Sequence, residues 1–163
     1  MIHFRRLSFS RNQSLEVSGK GTYVLVLRLS PSLALSVGRL GESYLAKGYY
    51  IYVGSAFGSG GLAARLRHHL KVSLNPHWHI DYLRKYATIV EIRVCTDDRR
   101  LEHLCAAFWR GRKGVSVPVM GFGSSDCGCD THLFYSPTRN LLNRAMAMMD
   151  DAIALTVNSL SVK

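Results

Sequence analysis

Residues 48–70 read GYYIYVGSAFGSGGLAARLRHHL. Tyr50 and Tyr52 alternate with Ile51 and Val53, so a strand here sends both phenols to one face. Phe57-Gly58-Ser59-Gly60-Gly61 breaks the strand and forms a loop. From Leu62 to Leu74 the period changes to that of a helix, with Leu62, Leu66 and Leu70 on its buried stripe. Arg65 and His69 are also four apart and share a different face. The loop lets backbone approach a ligand closely, and the helix returns Arg65 and His69 toward the strand end.

Working outward, TYVLVLRL (22–29) is an apolar, β-branched strand bounded by Gly21 and by Ser30-Pro31. SLALSVGRLG reads as an edge strand closed by Gly38 and Gly41, and Ala46-Lys47-Gly48 as a turn. Pro76 ends the first helix, HWHIDYLRKY forms a short second one, and ATIVEIRVCT is a further strand. Asp97-Asp98 can cap a helix across RRLEHLCAAFWRG, stopped by Gly111. VPVMGFGSSDCGCDTHLFYS is a glycine-rich loop running into the short strand HLFY. Pro137-Thr138 precedes a last helix from Arg139 to about Leu155, with Leu141, Leu142, Ala145, Met146 and Met149 on one stripe. Strands mixed with helices in this order predict an α+β fold with a small, mainly antiparallel sheet. The expected organisation is a basic arm over 1–18, a domain over 19–137, and a C-terminal helix over 138–163 that packs on the domain or forms a homodimer contact.

The chain has 163 residues, enough to bury a core without disulfides, and a formal net charge of +10. Ten Lys/Arg face two acids in residues 1–73, against eleven facing nine in the remainder. A field concentrated around the quoted stretch draws polyanions, so nucleic acid is the expected partner. No apolar run is long enough to cross a bilayer, and the N-terminal segment lacks the apolar core of a secretory signal. We expect no membrane association and a cytoplasmic protein.

If the strands at 22–29 and 48–54 pair, Tyr23 lies beside Tyr52. Two phenols, a guanidinium and an imidazole in a basic groove suit a phosphodiester: Arg65 can neutralise phosphate oxygens, and Tyr or His69 can pass a proton. Gly54, Ser55, Arg67, His68, Lys71, His77, Trp78 and His79 are the candidate nucleic-acid contacts. Asp81 can orient a histidine or cap its helix. A metal-assisted hydrolysis also needs a carboxylate. The glutamates are Glu16, Glu42, Glu91 and Glu102. Glu102, placed inside a helix on the Ala106 side, is the first candidate and Glu91 the second.

These segments together resemble the GIY-YIG nuclease superfamily, and within it the single-domain Uri-type or DUF123 branch, from about Gly19 to Ser136. Gly21-Thr22-Tyr23 and Tyr52-Val53-Gly54 stand where the two motifs fall. Arg65 and His69 occupy the helix positions of the family's arginine and histidine or tyrosine. HWHIDYLR and GFGSSDCGCDTHLFY are branch-specific. The resemblance implies a three-stranded antiparallel sheet and cleavage of DNA, rather than RNA, with one divalent ion (Mg²⁺ or Mn²⁺). It further implies Glu102 as the metal ligand, Tyr23 or Tyr52 placing the attacking water, and Arg65 countering the developing charge. Thr22 replaces the usual isoleucine. The longer spacing between motifs predicts an inserted edge strand or loop. His132 stands near the place of the family's terminal asparagine.

The remaining cluster is Cys127-Gly-Cys129 with His132, for which His77, His79 or Cys105 is the available fourth ligand. Its spacing is shorter than the usual zinc pair and no second CxxC exists, so zinc is not expected. Two other readings stay open beside the endonuclease: a non-catalytic nucleic-acid-binding module on the same fold, and a zinc-stabilised interaction protein.

Overall fold

A computed structural model describes residues 1–9 and 15–160. Residues 10–14 of the expected arm and 161–163 of the C-terminal segment lie outside the described residues. The strands are β1 (Arg5–Leu7), β2 (Gly21–Leu29), β3 (Leu33–Ser36), β4 (Glu42–Leu45), β5 (Gly48–Ala56), β6 (Ala87–Cys95) and β7 (Leu133–Ser136). The α-helices are α1 (Gly61–Leu70), α2 (His79–Arg84), α3 (Glu102–Arg110) and α4 (Arg139–Leu160). The class is α+β, as expected from the order of periods.

The main sheet has five strands, not three, in the order β1-β6-β2-β5-β7, every pairing antiparallel. The expected three form its centre. Of the short outer strands, β7 answers to the expected HLFY, while the three-residue β1 adds only a few backbone hydrogen bonds and carries too little alternation to be read from the sequence. The start of the chain packs on the domain. Ile2 and Phe4 are buried and β1 pairs with β6.

The central strand β2 is buried on both faces, which explains its nearly continuous apolar sequence. Tyr23, Leu25, Leu27, Tyr50 and Tyr52 join one core with Leu62 and Leu66 of α1 and Ile80 and Leu83 of α2. Val24, Val26, Ile51 and Val53 join the other, against α3 and α4. The buried stripe of α4 (Leu142, Ala145, Met146, Met149, Ile153 and Val157) is thus spent on its own domain. Among the described residues no helix is long and apolar enough to cross a membrane.

Three boundaries differ from the sequence reading. The long spacer between the motifs is a separate β3–β4 hairpin, with a 3₁₀ turn at Gly38–Leu40 between its strands, rather than an added edge strand of the main sheet. Helix α1 ends at Leu70, short of the expected end at Leu74, which is 89% exposed. Asp97 binds Arg99 instead of capping α3. The start of α3 is held by Thr22, whose hydroxyl accepts the Leu101 N–H at 3.1 Å. Glu102 consequently lies in the first turn rather than mid-helix.

Candidate active site

The β2–β5 register sets the site. Tyr23 lies opposite Gly54 and Leu25 opposite Tyr52, which puts the two phenols on one face with ring centroids 6.4 Å apart. Gly54 is required by contact rather than by backbone conformation. A Cβ there would stand 2.3 Å from Tyr23 Oη, so only glycine lets the phenol cross the neighbouring strand. Helix α1 then brings His69 over the pair. His69, not His68, turns inward; it is 1% exposed, and its Nε2 is 2.7 Å from Tyr23 Oη.

Burial sets the protonation of this group. It pushes the Tyr23 hydroxyl well above its ordinary pKa and that of Tyr52 up to about 12, while Arg65 pulls both down without prevailing. Burial, with the positive charge of His68 and Arg65 nearby, takes His69 down to about 3. At neutral pH both phenols keep their protons and His69 is neutral.

Beside this core a cleft of ≈ 530 Å³ opens, lined among others by Tyr23, Tyr52, Arg65, Trp78 and Glu102. The Arg65 guanidinium lies over the Trp78 ring, 4.1 Å from its centroid, which holds the cation at the cleft wall. Glu102 is 5% exposed. Among the described residues its Oε1 has only distant cations, Arg100 at 3.8 Å and His103 at 3.9 Å, and its Oε2 is buried without a hydrogen-bond partner. Glu91, the second candidate, is ruled out as the cleft carboxylate. It binds Arg93 at 2.7 Å and also Arg139 of α4. Burial pushes its pKa up, but the two guanidinium groups outweigh that and hold it low.

The expected nucleic-acid contacts divide. Gly54, Ser55, His77, Trp78 and His79 line the cleft. Arg67 is on the solvent side of α1, Lys71 is exposed just past its C-terminal end, and His68 is tied to Asp81 at 2.9 Å. Asp81 performs both roles read for it: one oxygen meets His68, and the other accepts the N–H groups of His77 and Trp78 at the start of α2. Burial raises the Asp81 pKa, but these hydrogen bonds outweigh it and leave the carboxyl below its usual range. His79 is anchored by the Gly123 N–H, which donates to its Nδ1 at 2.9 Å.

Sequence reasoning missed Arg100, His103 and Asp126 in the cleft wall. His103 follows Glu102 directly and Arg100 stands two residues before it, and that closeness in the chain is the one signal that could have found them. None of the three residues offered as fourth partner for Cys127, Cys129 and His132 takes that place. Cys105 is buried in the α3–α4 core, and the residue that joins the cluster is His103.

A family known as "Domain of unknown function DUF123" matches residues 22–154. The chain belongs to the DUF123 family. The match spans β2 to α4 and so includes every side chain of the cleft described above. No curated protein and no solved structure matches the chain.

Proposed function

We propose that this DUF123 protein is a divalent-metal-dependent endonuclease of the GIY-YIG, Uri-type kind, hydrolysing phosphodiesters in DNA in preference to RNA. The observation that carries the reading is a convergence in one cleft: the buried Tyr23–His69 pair, Tyr52, the stacked Arg65, and a Glu102 oxygen without a partner among the described residues. A buried carboxylate oxygen with nothing to bind is costly unless a cation meets it. A single carboxylate fits Mg²⁺ or Mn²⁺, which keep several waters and take phosphate oxygens as further ligands. Glu102 would hold that ion, which when bound supplies Lewis-acid stabilisation of phosphoryl charge.

The protein's own groups do the rest. Arg65 neutralises a non-bridging phosphate oxygen. Tyr52 hydrogen-bonds and orients the attacking water. The raised phenol pKa values exclude a standing phenolate, so Tyr23 works as a relay. Its oxygen takes a proton from water as its own proton passes to His69 Nε2 over the 2.7 Å contact. Anionic substrate beside Arg65 favours the resulting imidazolium. The new P–O bond forms as the bond to the leaving oxygen breaks, and that oxygen takes its proton from solvent.

The test is cleavage of single-stranded, duplex, branched and RNA substrates with Mg²⁺ or Mn²⁺, comparing wild type with Glu102→Ala. Cutting that disappears in the variant bears out the reading. Binding without cutting in both proteins makes this a nucleic-acid-recognition module on the same fold. Cutting that survives in Glu102→Ala refutes the assignment of the ligand.

A further inference from the structure

We propose a second metal site, built from Cys127, Cys129, His132 and His103, that binds Zn²⁺ tightly in tetrahedral S₂N₂ geometry and fastens the long glycine-rich loop to α3. One ligand atom from each of the four lies within 4.8 Å of all the others. His103 Nδ1 is 3.3 Å from Cys129 Sγ, and His132 Nε2 is 3.5 Å from Cys127 Sγ. Zn–S and Zn–N bonds of ordinary length place tetrahedral S and N ligands about 3.6 Å apart. The two nitrogen–sulfur pairs already stand close to that spacing, and small rotations of the side chains bring the set together.

The ligand set comes from three parts of the fold. Cys127 and Cys129 sit in the loop, His132 lies just before β7, and His103 projects from the first turn of α3. From Gly111 to Thr131 the chain has no helix or strand. A segment of that length inside a packed domain calls for something to order it. Its own backbone contacts, such as the Gly121 N–H to Asp130 and the His132 N–H to Phe122, close the loop on itself. Among the described residues the links from this stretch to α3 are the Arg110–Asp130 ion pair on the surface, the His103–Cys129 contact and the packing of Cys129 against the α3–α4 core, and none of them is a fixed joint. A metal would supply that joint, and the half-exposed His103 leaves a path for the ion to enter.

The sequence reading counted against zinc because the pair is C-x-C and no second CxxC exists. That argument assumes ligands from two short hairpins. Here the second pair is assembled in space from a helix and a strand end, a combination invisible to spacing rules. The site has no open position and is filled by four side chains, the arrangement of a structural rather than a catalytic zinc. The other ring nitrogen of His103 faces Glu102 Oε1 at 3.9 Å. Histidine ligands commonly direct their free N–H to a carboxylate, which fixes ring orientation. Zinc would therefore steady the wall that carries Glu102, though the proposal does not depend on the nuclease reading.

The experiment measures metal content of the purified full chain and the optical spectrum after replacement with Co²⁺. One zinc per chain, with intense tetrahedral Co²⁺ bands and thiolate-to-cobalt charge transfer, is expected. Cys129→Ser should weaken zinc binding by more than about a hundredfold, beyond the loss typical of an outer-shell partner. His103→Ala should weaken it while keeping the thiolate band. Because losing a ligand can unfold the loop, the wild-type spectrum decides the matter. Glu102→Gln should retain full zinc while abolishing cleavage, which separates this site from the hydrolytic one. Chain without zinc, or Co²⁺ bound in pale octahedral form and lost in Glu102→Gln, would overturn the proposal.

Discussion

Placing a methyl group on Gly54 tests whether the site is built on close contact between β2 and β5. A Cβ at this position would stand 2.3 Å from Tyr23 Oη and 2.4 Å from Cζ. The ring cannot yield easily, being 1% exposed and packed near Tyr52 and His69. Overpacking of this kind is worth about 1–3 kcal/mol. Moving the ring by an ångström also breaks its contact with His69 and leaves a buried imidazole nitrogen unpaired, about 1–3 kcal/mol more. Gly54→Ala should therefore destabilise by roughly 2–6 kcal/mol in urea unfolding at unchanged m-value. Removing the ring removes the obstacle. In a Tyr23→Ala background the same change should matter by less than about 0.5 kcal/mol, the range of uncoupled sites. Additive effects across the double-mutant cycle would refute the account and mean that Gly54 is constrained by something other than the phenol.

Four shorter predictions follow from the same contacts. Tyr23→Phe should lower the cleavage rate by about 10²–10⁴, the usual worth of positioned proton transfer, with metal affinity unchanged in calorimetry. Glu91→Gln should cost about 3 kcal/mol by breaking a buried ion pair, read in denaturant melts, while leaving cleavage at wild-type rate. Thr22→Val removes the acceptor for the Leu101 N–H, so it should destabilise by about 1 kcal/mol and slow cleavage through displacement of Glu102. His69 sets part of the acid sensitivity. Its folded pKa of about 3 lies below the unfolded value, so the unfolded chain binds more protons between about 3 and 6.5. Stability should then fall as pH drops through that window, by up to about 1.4 kcal/mol per unit from this group. His69→Gln should flatten the slope between pH 5 and 6.5, above the range of the carboxylates; an unchanged slope would mean that His69 does not enter the linkage.

Legibility followed the strength of local pattern. The alternation at Tyr50 to Val53 and the apolar run of β2 were enough to place both strands, while their pairing, which brings the two phenols together, entered only as a condition. The four-residue β7 was legible as HLFY, but the three-residue β1 is held by its neighbour β6, and its sequence carries little of that information. Arg139 illustrates the limit further. Nothing local marks it, yet it crosses from α4 to Glu91 on β6 and settles which glutamate is structural. The preference for Glu102 over Glu91 had a local reason that the structure does not repeat. It rested on a mid-helix position, whereas Glu102 sits in the first turn, beneath a backbone N–H held by Thr22.

Thr22 joins these observations into one physical argument. The residue looks like a mild departure from an apolar strand position, and by propensity alone it is unremarkable, since threonine suits a strand. In the fold it is fully buried, where a hydroxyl without a partner would be unfavourable. Its partner is the N–H that opens α3. Tyr23, the next residue, points to the opposite face of the sheet and meets His69. Two adjacent residues of β2 thus set the two halves of the cleft: one fixes the helix that carries Glu102 and His103, the other the phenol–imidazole pair. A one-residue slip of β2 against β5 would exchange their faces and dismantle both. The contact between Gly54 and the Tyr23 ring opposes that slip, which makes this glycine a determinant of register as well as of space.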